Sequence, residues 1–353
     1  MRSKSLSTKL PLSFDEIPKK SRTFARNMGF TTTILQWFRE NGRALPWRET
    51  QDPYAIWLSE IILQQTRIEQ GRPYWERFMK RWPTVEALAN ATEDEVLREW
   101  QGLGYYSRAR NLHTAAKQVL VRGGFPTTIE GIKSLKGVGD YTAAAIGSIA
   151  FDLPAAVVDG NVYRVLSRHY GIDTPINTTE GKKEFTALAQ SLLPATQASA
   201  FNQAMMDFGA IQCTPSNPNC PSCPLAESCV AFREGHVSEL PVKQKTLKIK
   251  ERHLTYVYVR CNGQTALHRR PAGDIWQGLY EPWLTEQVLC GAVLLRQNVK
   301  HVLTHRILYA DFWLWEVEER PQLPDDYFWI KEEEVGNYGV PRLIEILLET
   351  LNT

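Results

Sequence analysis

Four cysteines lie close together in this 353-residue chain, at a spacing that suits a metal centre. They follow the pattern C-x6-C-x2-C-x5-C and are Cys213, Cys220, Cys223 and Cys229. Four thiolates this close in sequence can hold an iron–sulfur cubane or, less often, a tetrahedral zinc ion. Disulfides are the alternative, but the sequence lacks a recognisable secretory leader or a membrane-length apolar run, which favours a reducing compartment. The spacing predicts one metal centre and leaves its chemistry open; Cys261 and Cys290 lie outside the motif and receive no role.

Two carboxylates have surroundings that can support chemistry. Glu60 falls on an otherwise apolar helical face with Trp57 and Ile61, so its side chain should be partly removed from water. A solvated helix carboxylate is the alternative interpretation. Asp159 stands just before a helical pattern, where a helix N-cap is the simplest interpretation.

A glycine-containing turn lies between two helical patterns at Leu135-Lys136-Gly137-Val138-Gly139. Glycines permit a tight turn, and backbone N–H groups at the start of the following helix can bind phosphate. Such a turn by itself is more often a simple helix connection. It is therefore a candidate phosphate site that needs support from its neighbours.

The elements that must position these residues change in character along the chain. From Thr31 to about Phe232 apolar residues recur at helical spacing, as in Ile34 to Phe38. A polar, lysine-rich stretch follows at about Ser238 to Arg252. Beyond it the apolar period changes to two, which predicts strands at Leu254 to Arg260, Thr265 to His268 and Ala310 to Val317, and a closing helix is predicted near Arg342 to Leu351.

Length and charge bound the domain organisation. A chain of this length with 43% hydrophobic residues favours two domains. The first 28 residues carry seven Lys or Arg and two acidic residues, which is a net charge of +5. Since the whole chain has a net charge of +2, the remaining residues have a net charge of −3. We predict a basic, disordered tail over 1–28, a helical domain over 29–232, a linker over 233–251 and a smaller α+β domain over 252–353. Met1 and Met28 are both possible start residues.

Several motifs in the helical region carry a likeness to a known family. They are Leu45-Pro46-Trp47-Arg48, Trp57-Leu58-Ser59-Glu60-Ile61-Ile62-Leu63-Gln64-Gln65-Thr66, Gly102-Leu103-Gly104-Tyr105-Tyr106-Ser107-Arg108-Ala109-Arg110-Asn111-Leu112 and Phe201-Asn202-Gln203-Ala204. With the cysteine spacing, they resemble the helix-hairpin-helix base-excision DNA glycosylases that carry a 4Fe-4S cluster, and within them the A/G-specific adenine DNA glycosylases of the MutY type. The likeness spans about residues 29 to 350. It implies an all-α helix-hairpin-helix glycosylase domain with one 4Fe-4S cluster on the four cysteines, followed by a MutT-like (Nudix-like) domain.

The resemblance assigns catalytic roles to four residues. Glu60 is implied as the general acid that protonates the departing adenine, and Asp159 as the carboxylate that stabilises, or attacks, the oxocarbenium-like sugar. Tyr141 and Asn161 are implied as flanking hydrogen-bonding residues. Tyr141 also occupies the position where strand-cleaving relatives carry a lysine nucleophile, so a monofunctional enzyme that leaves an abasic site is expected.

DNA binding is assigned in the same way. The adenosine must leave the base stack, and Gln65 and Tyr105 resemble the wedges that replace it. The resemblance implies an adenine pocket lined by Leu45, Trp47, Arg48 and Gln203, and backbone contacts at the turn of Lys136, Gly137 and Gly139. Arg108 and Arg110 are further candidates for phosphate contacts. We expect the loop between Cys213 and Cys220 to bind DNA phosphates weakly, since residues 214–219 contain no Lys or Arg.

The second domain carries its own signal in Lys300-His301-Val302-Leu303-Thr304-His305. By resemblance Leu303, Thr304 and His305 recognise 8-oxoguanine. Threonine stands where serine is usual and keeps the hydroxyl, and leucine replaces the usual phenylalanine. The glutamate-rich motif of pyrophosphate hydrolases is absent from the sequence, which favours recognition over hydrolysis.

The sequence therefore predicts a base-excision repair enzyme that removes adenine opposite 8-oxoguanine or guanine. Its expected partner is mispaired double-stranded DNA, and no membrane association is expected. We expect a monomer in the bacterial cytoplasm, located at the nucleoid through its binding to DNA. A thymine- or uracil-removing relative is one alternative. A non-catalytic iron–sulfur protein that binds DNA or senses redox state is the other.

Overall fold

The computed structural model describes residues 19–244, 249–287 and 290–351. The described residues form two compact units. The first unit combines the chain up to residue 51 with residues 143–244, and the second combines residues 52–142 with the chain after residue 244.

Helices account for most of the chain before residue 235. In order along the described residues, α1 to α13 are Lys19–Asn41, Pro53–Ile62, Ile68–Arg81, Val85–Asn90, Glu93–Glu99, Ser107–Val121, Ile129–Lys133, Asp140–Phe151, Gly160–Tyr170, Thr179–Leu192, Ala198–Asp207, Val230–Glu234 and Arg342–Leu351. A short 3-10 helix, Pro46–Arg48, precedes α2, and a π-helical turn, Phe208–Gln212, follows α11.

Local signals in the sequence explain where these helices begin and end. The Asp52 carboxylate accepts a hydrogen bond from the backbone N–H of Tyr54 at 3.0 Å, and Pro53 occupies the first turn of α2. Thr92 and Glu95 form a capping box at α5. α9 ends at Gly171 in the left-handed region (φ +70°), where an added Cβ would lie 2.5 Å from Val230.

Strands follow in the second unit. The described strands, β1 to β7, are Lys250–Cys261, Gln264–Arg269, Tyr280–Glu281, Trp283–Leu284, Val293–Val302, Arg306–Val317 and Tyr327–Lys331. They form a mixed sheet with the order β3-β2-β1-β6-β5, in which β4 also pairs with β1 and β7 with β2. The β1–β6 pair is parallel, and the other pairs are antiparallel.

Each unit has its own apolar core. In the first, Phe30 and Ile34 of α1 pack with Leu166 of α9 and Phe201 of α11. In the second, α13 covers one face of the sheet and shares a core with β1 and β6. The helices of residues 52–142 enclose a further aromatic group in which the rings of Phe78 and Trp100 meet edge to face, with centroids 5.8 Å apart.

The predicted fold class is confirmed: a helical region precedes a smaller domain with a mixed sheet. α13 has the predicted bounds, and β1 covers the predicted strand at Leu254. α1 begins at Lys19, ten residues before the predicted domain start; the rest of the predicted tail lies outside the described residues, as do residues 245–248 of the predicted linker. The described residues include no helix with the length and apolarity needed to span a membrane.

Candidate active site

Glu60 and Tyr141 are joined by a hydrogen bond in the second unit. Glu60 is half-buried in the last turn of α2, between the buried residues Ser59 and Ile61. Tyr141, in the first turn of α8, donates its hydroxyl to Glu60 Oε2 at 3.2 Å. The turn after α2 is tied to the same helix, because Gln64 Nε2 donates to Thr142 Oγ1 at 3.1 Å. Two of the predicted catalytic residues are thus brought together.

Asp159 and Asn161 form a second pair, in the first unit. Asp159 caps α9: its Oδ1 accepts the Val162 N–H and its Oδ2 accepts Asn161 Nδ2, both at 2.8 Å. Burial raises the pKa of Asp159, although these hydrogen bonds and the nearby Arg164 oppose the shift. The helix-cap interpretation is therefore correct, and it leaves a desolvated carboxylate at the start of α9.

Arg164 and Gly209 hold this pair in place. Arg164 Nη2 donates to Asn161 Oδ1 at 2.8 Å and to the Gly209 carbonyl at 2.6 Å, and its Nε donates to the Cys213 carbonyl at 2.7 Å. An added Cβ at Gly209 would lie 2.6 Å from Asn161. The backbone of the π-helical turn can therefore approach Asn161 only because residue 209 has no side chain.

The residues predicted to line the adenine pocket all lie in the first unit. Leu45 and Trp47 are buried, and Gln203 donates its amide to Ser199 Oγ at 3.0 Å. Arg48 makes a two-pronged contact with Asp207: Nη1 lies 2.8 Å from Oδ2 and Nη2 lies 2.9 Å from Oδ1.

Asp207 is a site residue that sequence reasoning missed. Its side chain is fully buried, and it also accepts hydrogen bonds from the backbone N–H and the guanidinium of Arg43. Burial alone would raise the pKa of Asp207, but the hydrogen bonds from Arg48 and Arg43 outweigh it and the pKa is lowered. Its position among the apolar residues of α11 was the available signal.

The glycine-containing turn connects α7 to α8, so these two helices form the predicted hairpin. Lys136, Gly137 and Gly139 are exposed. Gly137 adopts φ +79°, and an added Cβ would lie 2.7 Å from Asn111. Asp140, at the start of α8, forms an ion pair with Lys133.

The two predicted wedges are exposed and have unusual backbone conformations. Gln65 has φ +58° and Tyr105 has φ +49°, a region that residues other than glycine seldom adopt. The Tyr105 side chain is 48% exposed, whereas the neighbouring Tyr106 is buried. Tyr106 thus packs at the start of α6 and Tyr105 is available for contacts.

The prediction that Arg108 binds phosphate is wrong in this conformation. Arg108 is buried, and its guanidinium donates to backbone carbonyls, including those of Ile61 and Ile62 at 3.0 Å. Arg110 is half-buried and donates to the Gln277 carbonyl at 2.5 Å. Both guanidinium groups are engaged by the protein because the loop before α6 and segment 275–279 pack around them.

A cavity of about 670 Å³ in the second unit contains the predicted 8-oxoguanine residues. Leu303, Thr304 and His305 line it together with the loop that carries Tyr105. The Tyr105 and Thr304 hydroxyls lie 2.5 Å apart. A predicted wedge and a predicted recognition residue, distant in sequence, therefore meet at one cavity.

The four cysteines of the motif are half-buried and line one cavity in the first unit, beside Arg168. Arg168 Nη1 lies 3.5 Å from Cys213 Sγ. Burial raises the pKa of Cys223 to about 11, and the neighbouring thiols add to this, since like charges disfavour one another's ionisation. Among the described residues no three His, Cys, Asp or Glu side chains are arranged around a single-ion site. Four soft donors around one cavity fit the donor set of an iron–sulfur cluster.

Comparison with known proteins identifies the family of this chain. Residues 58–194 match the model of the HhH-GPD superfamily of base excision DNA repair proteins, and residues 255–350 match that of the NUDIX domain. The adenine DNA glycosylase of Buchnera aphidicola from Schizaphis graminum is 35% identical over 254 residues, which are 71% of this chain and 73% of that protein. This chain belongs to the adenine DNA glycosylase family.

Mammalian members of the adenine DNA glycosylase family are also similar. The mouse protein is 41% identical over 226 residues, which are 60% of this chain and 44% of the mouse protein. Family membership identifies the chain as a DNA-binding enzyme of base-excision repair. The alternative of a non-catalytic iron–sulfur protein is therefore wrong.

Two solved structures place this family member in a wider fold group. A thermostable thymine-DNA glycosylase is 32% identical and superposes with a TM-score of 0.56 over 60% of this chain and 99% of that one. Endonuclease III, trapped as a covalent DNA intermediate, is 21% identical with a TM-score of 0.52 over 62% of this chain and 99% of that one. The second likeness concerns the fold alone.

Proposed function

We propose that this chain hydrolyses the N-glycosidic bond of adenine mispaired with 8-oxoguanine or guanine and leaves an abasic site. The hydrogen bond from Tyr141 to Glu60 is the observation that carries the proposal. It pairs a half-buried carboxyl group with a phenol, and by resemblance the phenol of Tyr141 replaces the lysine nucleophile of strand-cleaving relatives. The chain acts as a monomer and as a monofunctional glycosylase.

Glu60 is the general acid in this proposal. A neutral adenine is a poor leaving group, so it must gain a proton, at N7, as the bond to the sugar breaks. Tyr141 donates to Oε2 of the same carboxyl group. This contact fixes the orientation of the carboxyl group and so directs its proton at the base.

Asp159 stabilises the positive charge that develops on the sugar. Its carboxylate is held by the Val162 N–H and by Asn161, so it need not reorganise during the reaction. Because burial removes much of its hydration, the carboxylate gains more from a nearby cation than an exposed one would. The same group could attack the sugar carbon in a retaining route, and both routes require its negative charge.

Specificity for the opposite base rests on the 670 Å³ cavity. Thr304 offers one hydroxyl donor and two acceptor lone pairs. It can accept from Tyr105 and still donate to a purine edge. The volume lies within the range of small-molecule pockets, which suits a single base and its neighbouring wedge.

We also propose that Cys213, Cys220, Cys223 and Cys229 hold a 4Fe-4S cluster. When bound, the cluster supplies positive iron centres that keep the thiolates ionised and fix residues 213–229. Arg164 donates hydrogen bonds to both the Cys213 carbonyl and Asn161 Oδ1. It therefore links the cysteine motif to the Asp159–Asn161 pair. Iron and acid-labile sulfide analysis tests this, with about four of each per chain expected for a cubane.

Single-turnover cleavage of mispaired duplexes tests the catalytic proposal. Duplexes carry adenine opposite 8-oxoguanine, guanine or thymine, and a further duplex carries thymine opposite guanine because a thymine-DNA glycosylase is similar to this chain. We expect strand breaks only after hot alkali, and only with adenine opposite 8-oxoguanine or guanine. Glu60→Gln should abolish them.

Glu184→Gln, at an exposed position in α10, is the matched control and should cleave like the wild type. Release of thymine in place of adenine would replace the proposed substrate by that of the thymine-removing relatives. Strand breaks without alkali would overturn the monofunctional assignment.

A further inference from the structure

Arg108 is buried in the second unit and binds backbone carbonyls from two separate segments. Its Nη1 donates to the carbonyls of Ile61 and Ile62, each at 3.0 Å, and to that of Gln64. Its Nη2 donates to the carbonyls of Leu103 at 3.4 Å and Gly104 at 3.2 Å. One guanidinium thus connects the end of α2 to the loop before α6.

Two of these carbonyls belong to the residues directly before the proposed wedges. Gln64 precedes Gln65, and Gly104 precedes Tyr105. Both wedges have a positive φ. A left-handed conformation costs free energy for a residue with a Cβ, and it persists only where the surroundings hold it. Arg108 supplies such hydrogen bonds at both positions.

The Arg108 side chain is suited to bridging these two segments for three reasons. The planar guanidinium presents several N–H donors in a fixed geometry, which the ammonium of lysine cannot reproduce. It lies at the C-terminal end of α2, where unpaired carbonyls and the helix dipole favour a cation. Trp100 and Tyr105 pack against it, with the guanidinium carbon 5.1 Å and 5.4 Å from their ring centroids.

The charge of Arg108 survives burial at neutral pH. Desolvation lowers the pKa of Arg108 to about 10, which still leaves the group protonated near pH 7. The backbone carbonyls that Arg108 binds therefore face a positively charged group at neutral pH.

We propose that Arg108 is a positioning residue that holds Gln65 and Tyr105 together in the conformation required to extrude the target base. The inference rests on the proposed function, since it takes from it the wedge role of both residues. Arg108 contacts neither DNA nor the reacting atoms in this role. It sets the rate at which the adenosine leaves the stack, not the rate of bond cleavage once it has left.

Stopped-flow fluorescence with 2-aminopurine beside the target adenine tests this directly. The fluorescence of 2-aminopurine rises when its stacked neighbour departs, so the rise reports extrusion separately from cleavage. We expect Arg108→Met and Arg108→Lys to slow the rise by about tenfold or more. Glu60→Gln should keep the wild-type rise and lose cleavage. Arg72→Met, which removes an exposed arginine of α3 in the same unit, should match the wild type in both.

Thermal unfolding and active-site titration of each variant separate positioning from a loss of folded protein. If Arg108→Met does not fold, Arg108→Lys, which retains the charge, decides the matter. A wild-type rise in folded Arg108→Lys, or slower cleavage with an unchanged rise, would overturn the inference while the proposed function stands. Failure of the wild type to release adenine from any duplex would instead refute the proposed function.

Discussion

Tyr105 and Thr304 share a hydrogen bond although 199 positions separate them in the chain. Tyr105 lies in the loop before α6, and Thr304 lies in the turn between β5 and β6. The contact ties the helical part of the second unit to its sheet at the cavity proposed to read the opposite base. Each hydroxyl can donate or accept, so the pair can rearrange when a base enters.

Thr304→Val should reduce discrimination between 8-oxoguanine and guanine opposite adenine. Valine keeps the branched shape but lacks the hydroxyl, so the hydrogen bonds to Tyr105 and to the base are lost. A hydrogen bond of this kind contributes about 1 kcal/mol, roughly fivefold in rate. The ratio of single-turnover rates for the two mispairs measures it. Thr304→Ser, which keeps the hydroxyl, should retain the ratio, and an unchanged ratio in the valine variant would contradict the assignment.

Asp159→Asn should abolish cleavage without weakening α9. Asparagine is as good a helix cap as aspartate, but it carries no charge to stabilise the sugar cation. Burial raises the pKa of Asp159, so protonation of this carboxyl group stabilises the folded state. This contribution to the free energy of unfolding is complete below the unfolded pKa of about 4 and is lost as pH rises through the folded pKa. The variant should therefore gain thermal stability relative to wild type as pH rises towards 7. Equal melting shifts at every pH would argue against a desolvated Asp159.

Asp207→Asn should destabilise the first unit. It leaves Arg43 and Arg48 without their shared carboxylate; because Arg43 is about one-third exposed and water can solvate it, we expect a cost of about 1.5–3 kcal/mol from the lost charged hydrogen bonds. Urea unfolding at pH 7 measures the loss. Asp173→Asn, at an exposed position, is the control and should lie within about 0.5 kcal/mol of wild type. A similar small effect at Asp207 would show that the two arginines find other partners.

Cys223→Ser should lower the iron content and the thermal stability together. Serine replaces a soft thiolate with a poorer ligand for iron, and Cys223 lines the same cavity as the other three cysteines. Cys290→Ser, at an exposed cysteine outside the motif, should keep both properties. Iron analysis and melting curves on the same preparations decide the matter. Full iron occupancy in Cys223→Ser would remove this residue from the ligand set.

Lys136→Ala should flatten the salt dependence of DNA binding. Lys136 is exposed in the turn between α7 and α8, and each phosphate contact contributes about 0.9 to the slope of log K against log salt. Affinity for a duplex containing a non-cleavable adenosine analogue, measured at several salt concentrations, gives the slope. Lys182→Ala, at an exposed position of α10, should leave it unchanged. An unaltered slope for Lys136→Ala would exclude a phosphate contact at this turn.

Features that depend on local pattern were predictable from the sequence. The helical spacing of Arg342–Leu351 fixed the bounds of α13, and the cysteine spacing placed four thiols around one cavity. The helix cap at Asp159 was also foreseen. In each case the deciding interactions join residues close together in the chain.

Features that depend on distant contacts were not. Asp207 is hydrogen-bonded to Arg43, which lies 164 positions away in the chain. No sequence pattern near either residue indicates this contact. β5 was missed for a different reason. Its pairing with β6 shifts register between Leu294 and Arg296 and again before Val299, so exposed and buried positions do not alternate with a period of two.

The carbonyls bound by Arg108 also bear on how the chain acquires its structure during synthesis. Ile61 emerges from the ribosome 47 residues before the arginine that binds its carbonyl. At about 5–20 residues per second, that interval lasts roughly 2 to 9 s. During this interval the carbonyls of Ile61 and Ile62 lack the hydrogen bonds from Arg108, which can form only after the start of α6 has been made. The native contacts at the end of α2, next to Glu60, therefore depend on a residue that is made later in synthesis.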